Sequence, residues 1–161
     1  LSYDPNARPG TVPRAIMRGR VEDFVALSHV VKVSDEDLDY LYPGESPEDV
    51  CARWIEAGPS IVVLTRGPRG LAAWRPGRSV VEVPGHTVTV ADTVGAGDTV
   101  TAALLVGLGD AGALGAGGDL SRVDDATLLR ILRGAALAAA MTCSREGAQP
   151  PTRAEIDSEL I

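Results

Sequence analysis

Apolar residues fall along this chain in two rhythms, and each rhythm predicts a different element. Val21–Ser28 places Val21, Phe24, Val25 and Leu27 at helical spacing. His29–Val33 is a short apolar run, the pattern of a buried strand. Ser60–Thr65 is a continuous β-branched run, as expected of a parallel strand covered on both faces. Between them, Ser34-x-x-Asp37 and Ser46-Pro47-Glu48-Asp49 are helix-start grammar: a capping hydroxyl, an acidic first turn and, at the second, proline at the first helical position. The second of these helices runs through Val50, Trp54 and Ile55 towards Gly58. Gly67–Gly70 predicts a turn, and Leu71–Trp74 and Ser79–Val83 predict two antiparallel strands about Pro76-Gly77. Long helices are expected over Thr99–Leu108 and from Asp124 or Asp125 to about Cys143. Thr152-x-x-Glu155 caps a final short one. The Pro-, Arg- and Gly-rich residues 5–20 and the glycine-rich residues 109–119 are expected to be loops. Helices alternating with apolar strands argue for α/β layering on a mostly parallel sheet.

Composition narrows this little. The chain has 161 residues, of which 45% are hydrophobic and 23% charged, ordinary for one globular domain. Only 4% are aromatic, so Val, Leu, Ile and Ala must build the core. The net charge of -7 lacks the basic face of a nucleic-acid binder. Cys51 and Cys143 are far apart and form no metal-ligand pair. Neither a signal peptide nor an apolar run near the roughly 20 residues of a membrane span is evident. The longest weakly polar stretch is Gly134–Cys143. These features point to a reducing, cytoplasmic setting with no membrane partner.

The chemistry concentrates at Asp92-Thr93-Val94-Gly95-Ala96-Gly97-Asp98, just before an apolar helix. Two glycines let the backbone approach a ligand closely. A helix that starts at once directs its unpaired N–H groups and positive dipole end into the turn, which makes an anion hole. Asp98 then lies where a carboxylate can take a proton from an attacking hydroxyl. On spacing alone, a tight turn with Asp98 as a helix cap reads equally well. Gly115–Asp119 is a second glycine cluster without a preceding strand, and reads as surface loop. Arg8 is either a phosphate-side group or a solvated charge. Lys32 reads as a strand-end residue whose ammonium snorkels to water. His29 and His86 read as packing or surface residues, and Trp54 and Trp74 as core or turn packing.

Asp92–Thr99 closely resembles the second signature of PfkB (ribokinase-like) carbohydrate kinases. Four further segments resemble the same family in order: Asp4-Pro5-Asn6-Ala7-Arg8-Pro9, Val31–Leu38, Val63–Gly70 and Cys143–Ala148. Asp37 stands where Glu is more usual. The resemblance implies an α/β, ribokinase-like layered fold with a mostly parallel central sheet flanked by helices, partial here. Residues 1–161 would be the C-terminal, nucleotide-binding half of one kinase domain, with the N-terminal half and lid absent. It implies Asp98 as catalytic base and Gly95, Ala96 and Gly97 as the anion hole. Thr65, Gly67 and Gly70 would contact ATP, and Asn6 and Arg8 would lie near the phosphates and Mg²⁺. Asp92 and Val94, with carbonyls near Thr142, Arg145 and Gly147, would hold a monovalent cation, K⁺ in many relatives.

The expected activity is transfer of the γ-phosphoryl group of ATP to a sugar hydroxyl. The Asp4–Pro9 and Lys32–Leu38 segments favour a fructokinase. A 2-keto-3-deoxygluconate kinase, ribokinase or nucleoside kinase would share the Asp92–Asp98 machinery. The expected partners are a small sugar and ATP, with a homodimer formed through the absent lid. A noncatalytic nucleotide-binding fragment is the rival from another class, and the isolated chain is expected to be nearly inactive. A Rossmann-type dehydrogenase would need a third glycine that this turn lacks.

Overall fold

The computed structural model describes residues 1–10 and 12–159. Thr11, in the segment read as a 5–20 loop, and Leu160–Ile161, at the end of the 1–161 half, lie outside the described residues. The chain divides into two compact units: Leu1–Arg66 with Ala72–Val80, and Gly67–Leu71 with Val81–Ile161.

The first unit carries β1 (Ser2–Tyr3), α1 (Arg14–Leu27), β2 (Val30–Ser34), α2 (Asp35–Leu41), α3 (Pro47–Glu56), β3 (Ile61–Thr65) and, from Ala72 on, β4 (Leu71–Trp74). Its strands lie in the order β1-β2-β3-β4, and β1, β2 and β3 are mutually parallel. Lys32 pairs with Val63 and Ser34 with Thr65. Residues 61–64 of β3 are fully buried, as the unbroken apolar run requires. Both serine starts behave as expected. Ser34 Oγ accepts the Asp37 N–H at 3.0 Å while Asp37 Oδ2 accepts the Ser34 N–H at 3.2 Å, a complete capping box. Ser46 Oγ accepts the Asp49 N–H ahead of Pro47.

One expectation fails here. Residues 14–20, read as loop, form the first half of α1. Pro13 is its N-cap residue, and Arg14 and Arg18 lay their guanidinium groups over the rings of Tyr40 and Tyr42. Arginine is a good helix former, and packing on an aromatic face replaces the apolar stripe that periodicity looks for.

The second unit carries β5 (Val81–Val83), α4 (Ala96–Asp110), α5 (Asp125–Cys143) and α6 (Arg153–Glu159). β5 is shorter than the Ser79–Val83 expected, and α4 starts three residues before Thr99 and reaches Asp110. A Cβ on Gly107 would lie 2.9 Å from Ile131 Cγ1, so α4 and α5 touch nearly backbone to side chain. The 109–119 segment is not wholly exposed, because Ala113 is buried. The weakly polar run at Gly134–Cys143 continues back to Asp125. Among the described residues this 19-residue helix is the one long and apolar enough to cross a bilayer. Leu128, Leu132 and Ala135 on it are fully buried within the protein.

Trp54 anchors the first unit. It is buried, meets Tyr42 edge-on at 6.0 Å between ring centroids, and donates its Nε1–H to Tyr42 Oη at 3.3 Å. Trp54→Ala is expected to lower stability by about 3–5 kcal/mol, read as a shift in urea midpoint. A loss below about 1 kcal/mol would contradict this account of the packing.

Candidate active site

The site of the second unit begins with Gly95, the N-cap residue of α4. Its φ of 80° is left-handed, and a Cβ there would lie 2.9 Å from the Ala148 Cβ. Both facts require glycine. Having no side chain, Gly95 cannot cap the helix, so the first-turn amides stay open. The Ala96 N–H makes a long 3.3 Å bond to the Thr93 carbonyl, and those of Gly97 and Asp98 meet no partner among the described residues. Asp98 is the third helical residue. It is exposed and has no hydrogen-bond partner or counter-ion among the described residues. The reading of Asp98 as a helix cap therefore falls away.

Asp92 fastens the approach to this turn. Its Oδ1 accepts the Val94 N–H at 3.0 Å, and its Oδ2 accepts the Gly147 N–H at 3.1 Å. These backbone bonds, that from Val94 foremost, hold its carboxyl below the usual range. In return the Cys143 carbonyl accepts the N–H groups of Ala91 (2.8 Å) and Asp92 (3.2 Å). Asp92, Val94 and the turn after α5, which holds Arg145 and Gly147, thus lie in one neighbourhood. Thr142 contributes an unexpected group. Its buried hydroxyl lies 3.0 Å from that of Thr99. The Arg145 guanidinium is engaged with Glu155 Oε1 at 2.6 Å.

Gly67–Arg69 forms a single 3-10 turn. Gly67 has a φ of 52° and Gly70 one of 89°, and a Cβ on Gly70 would fall within 2.1 Å of the Val83 carbonyl oxygen. This turn walls a cleft of about 290 Å³ whose other sides include His86, Val88, Thr93, Ala136, Ala139, Ala140 and Cys143. Thr93 leads by chain directly into the Gly95 turn. The α5 residues of this cleft were missed, although 136, 139, 140 and 143 carry small side chains at i, i+3, i+4 and i+7, one face of a helix. His86, expected as a packing or surface residue, is exposed on the cleft wall.

Asn6, Arg8 and Thr65 belong to the first unit. Two anchors hold the Asp4–Arg8 segment. Lys32 Nζ meets Asp4 Oδ2 at 2.8 Å, and Asp37 Oδ1 accepts the Ala7 N–H at 2.8 Å. Asn6, between the anchors, has a φ of 41°, positive as in no other non-glycine residue described. Lys32 is buried and paired, not snorkelling from the strand end. Thr65 donates its hydroxyl to the Val33 carbonyl at 3.4 Å.

Comparison with known proteins gives a consistent picture. The profile of pfkB family carbohydrate kinases matches residues 2–155. A fructokinase of Rhizobium leguminosarum bv. trifolii is 40% identical over 99 residues, 61% of this chain and 30% of the relative. Fructokinase-2 of Solanum habrochaites is 30% identical over 159 residues, 96% of this chain and 46% of the relative. The crystal structure of Vibrio cholerae O395 fructokinase in fructose-, ADP- and calcium-bound form superposes with a TM-score of 0.82 at 29% identity. It covers 99% of this chain and 50% of that one. The ATP-bound fructokinase of Xylella fastidiosa shares the fold, with a TM-score of 0.80 at 24% identity. The chain spans less than half the length of the two curated relatives and half of the Vibrio protein.

The turn after α5 carries a pH signature. Glu155 Oε2 accepts the N–H (2.7 Å) and the hydroxyl (2.8 Å) of Thr152, and Arg145 pairs with the other oxygen. In that order of weight these contacts hold its carboxyl down to about 2 from an ordinary 4.5. A depressed carboxyl contributes stability that is complete above its unfolded value and fades as pH falls through the folded one. The cap of α6 is therefore expected to weaken between about pH 4.5 and pH 2. Carboxyl NMR should show Glu155 titrating near 2, and Thr152→Val should move the midpoint up. A midpoint at the ordinary value would refute the capping geometry.

Proposed function

We propose that this chain, which belongs to the pfkB family of carbohydrate kinases, is the nucleotide-binding and catalytic-base half of an ATP-dependent sugar kinase. The observation that carries the reading is the unengaged Asp98 carboxylate beside the open Gly97 and Asp98 amides at the start of α4. Asp98 takes the proton of a sugar hydroxyl as its oxygen attacks the γ-phosphorus. The new oxygen–phosphorus bond forms as the bond to the β–γ bridging oxygen breaks, and ADP leaves. The Ala96, Gly97 and Asp98 N–H groups, at the positive end of the α4 dipole, meet the negative charge on the transferred group. Gly67 and Gly70 wall the cleft that takes the nucleoside. Thr65, Asn6 and Arg8 are assigned to the nucleotide on the sequence resemblance. Fructose is the favoured acceptor, supported by the relatives' names and by the fructose-bound neighbour. The same reading assigns the protein to the cytoplasm and its pairing to the lid of the intact kinase.

Two ions are assigned to this chemistry on the sequence resemblance and on the ions of solved neighbours, one in complex with ATP and Mg²⁺ and one bound to fructose, ADP and K⁺. No group of three or more His, Cys, Asp or Glu side chains among the described residues forms a metal cluster. Mg²⁺ would bind mainly through the substrate phosphates, with few protein ligands, and would neutralise their charge. The Asp92 carboxylate with carbonyls of Val94, Thr142, Arg145 and Gly147 offers hard oxygen donors to a monovalent cation such as K⁺.

The test is ADP release by the full-length protein that contains this chain. Fructose, ribose, 2-keto-3-deoxygluconate and adenosine are offered separately. Asp98→Asn is expected to lower kcat by about 10²–10⁴-fold with ATP binding retained. Undiminished turnover in Asp98→Asn would sink the assignment of the base. ATP binding without ADP release for any acceptor would favour a noncatalytic module.

A further inference from the structure

Three short contacts join four residues behind the Gly95 turn. Thr99 Oγ1 lies 2.9 Å from the Gly95 carbonyl oxygen and 3.0 Å from Thr142 Oγ1, which lies 2.9 Å from the Ala138 carbonyl oxygen. Thr99 and Thr142 are both buried, Thr142 completely. Threonine often bonds the carbonyl four residues back in a helix, and each bond alone would mean little. The contact between the hydroxyls is different. It is the buried hydrogen bond that ties the first turn of α4 to the last turn of α5, 43 residues away.

Two hydroxyl protons serve three contacts, so the pair has three arrangements. Thr142 donates to Thr99, which donates to Gly95; or Thr99 donates to Thr142, which donates to Ala138; or each hydroxyl donates to the carbonyl four residues back in its own helix and the two oxygens only touch. The states are not equivalent for the anion hole. The Gly95 carbonyl and the Ala96 N–H are opposite ends of one rigid, planar peptide unit. The oxygen accepts both the Thr99 N–H and the Thr99 hydroxyl, each at 2.9 Å, and fixing the oxygen fixes the direction of the N–H. An anion drawn to that N–H increases the charge on the Gly95 oxygen and favours the state in which Thr99 donates to it. Thr101 makes a longer bond of the same kind, 3.3 Å to the Gly97 carbonyl, on the peptide that carries the Asp98 N–H.

We infer that the Thr142 side chain is a positioning residue. It acts through Thr99 to hold the Gly95–Ala96 peptide, and so the start of the α4 turn whose open Gly97 and Asp98 N–H groups face the transferred phosphoryl group. This deepens the kinase reading and rests on it. It is separate from any ion contact of Thr142, which would use the backbone carbonyl and survive a change of side chain.

The experiment compares wild type, Thr142→Val and Thr142→Ser in the full-length protein, with kinetics normalised to folded enzyme. Valine removes the hydroxyl at nearly constant shape, and serine restores it. The expected result for Thr142→Val is a fall of about tenfold in both kcat and kcat/KM, with KM for sugar unchanged, the mark of an interaction used in the transition state. Thr142→Ser should recover most of the loss. A residue that only stabilises the fold would change the folded fraction and leave kcat of the folded enzyme intact. Wild-type kcat in Thr142→Val, or equal loss in both variants, would overturn the inference. If Thr142→Val fails to fold, Thr99→Ser and Thr99→Val are compared in the same way. The Ala96 amide resonance is read alongside: displaced in the valine variant and restored in the serine variant. If the wild type turns over no acceptor, the kinase reading fails, and this resonance still decides whether Thr142 sets the peptide.

Discussion

The second unit depends on a reciprocal clip between two turns. Asp92 accepts backbone N–H groups from Val94 beside it and from Gly147, 55 residues on, while the Cys143 carbonyl accepts from Ala91 and Asp92. Both turns have backbone groups that the helices cannot satisfy, because helix ends leave amides and carbonyls unpaired. By satisfying each other they set where α4 begins. Gly95 can then adopt its left-handed conformation against Ala148, and the first-turn amides open outward rather than onto a capping side chain. A serine or aspartate at the cap would stabilise the helix and occupy those amides. The turn gives up a cap and leaves those amides open.

The first unit uses the same economy at its own loop. The Asp37 carboxylate closes the Ser34 capping box and also accepts the Ala7 N–H. One side chain thus starts a helix and pins a neighbouring segment. Lys32 holds Asp4 at the other end, and Asn6 keeps a left-handed backbone between the anchors. Such a conformation persists only where its surroundings over-determine it.

Legibility in the sequence followed the type of interaction. Caps could be read because their chemistry is local: Ser34 with Asp37, Ser46 with Pro47, and Thr152 with Glu155 all stand within three residues. The parallel strand β3 could be read because burial on both faces leaves an unbroken apolar run. The first half of α1 could not, since its arginines find their partners on rings of Tyr40 and Tyr42 across the fold. Lys32 could not either, because nothing near it in sequence announces Asp4 as a partner. At the candidate site the glycine turn and Asp98 were plain. The alanine wall of the cleft was silent, since alanine suits any helix face and carries no mark of what it lines. The Thr99–Thr142 pair spans two helices and has no sequence spacing to betray it.

The alanine wall also says how this scaffold can diverge. Ala136, Ala139 and Ala140 carry nothing beyond a methyl group into the cleft, on a helix whose other face is packed into the protein. Change at these positions has one open direction, towards bulk, and each added carbon narrows a cleft that Thr93, the residue leading into the Gly95 turn, also walls. The width of the cleft is therefore set by the smallest side chains on one face of α5. A single methylene added on that face takes more room from the cleft than any change on the opposite, packed face of the helix could give back.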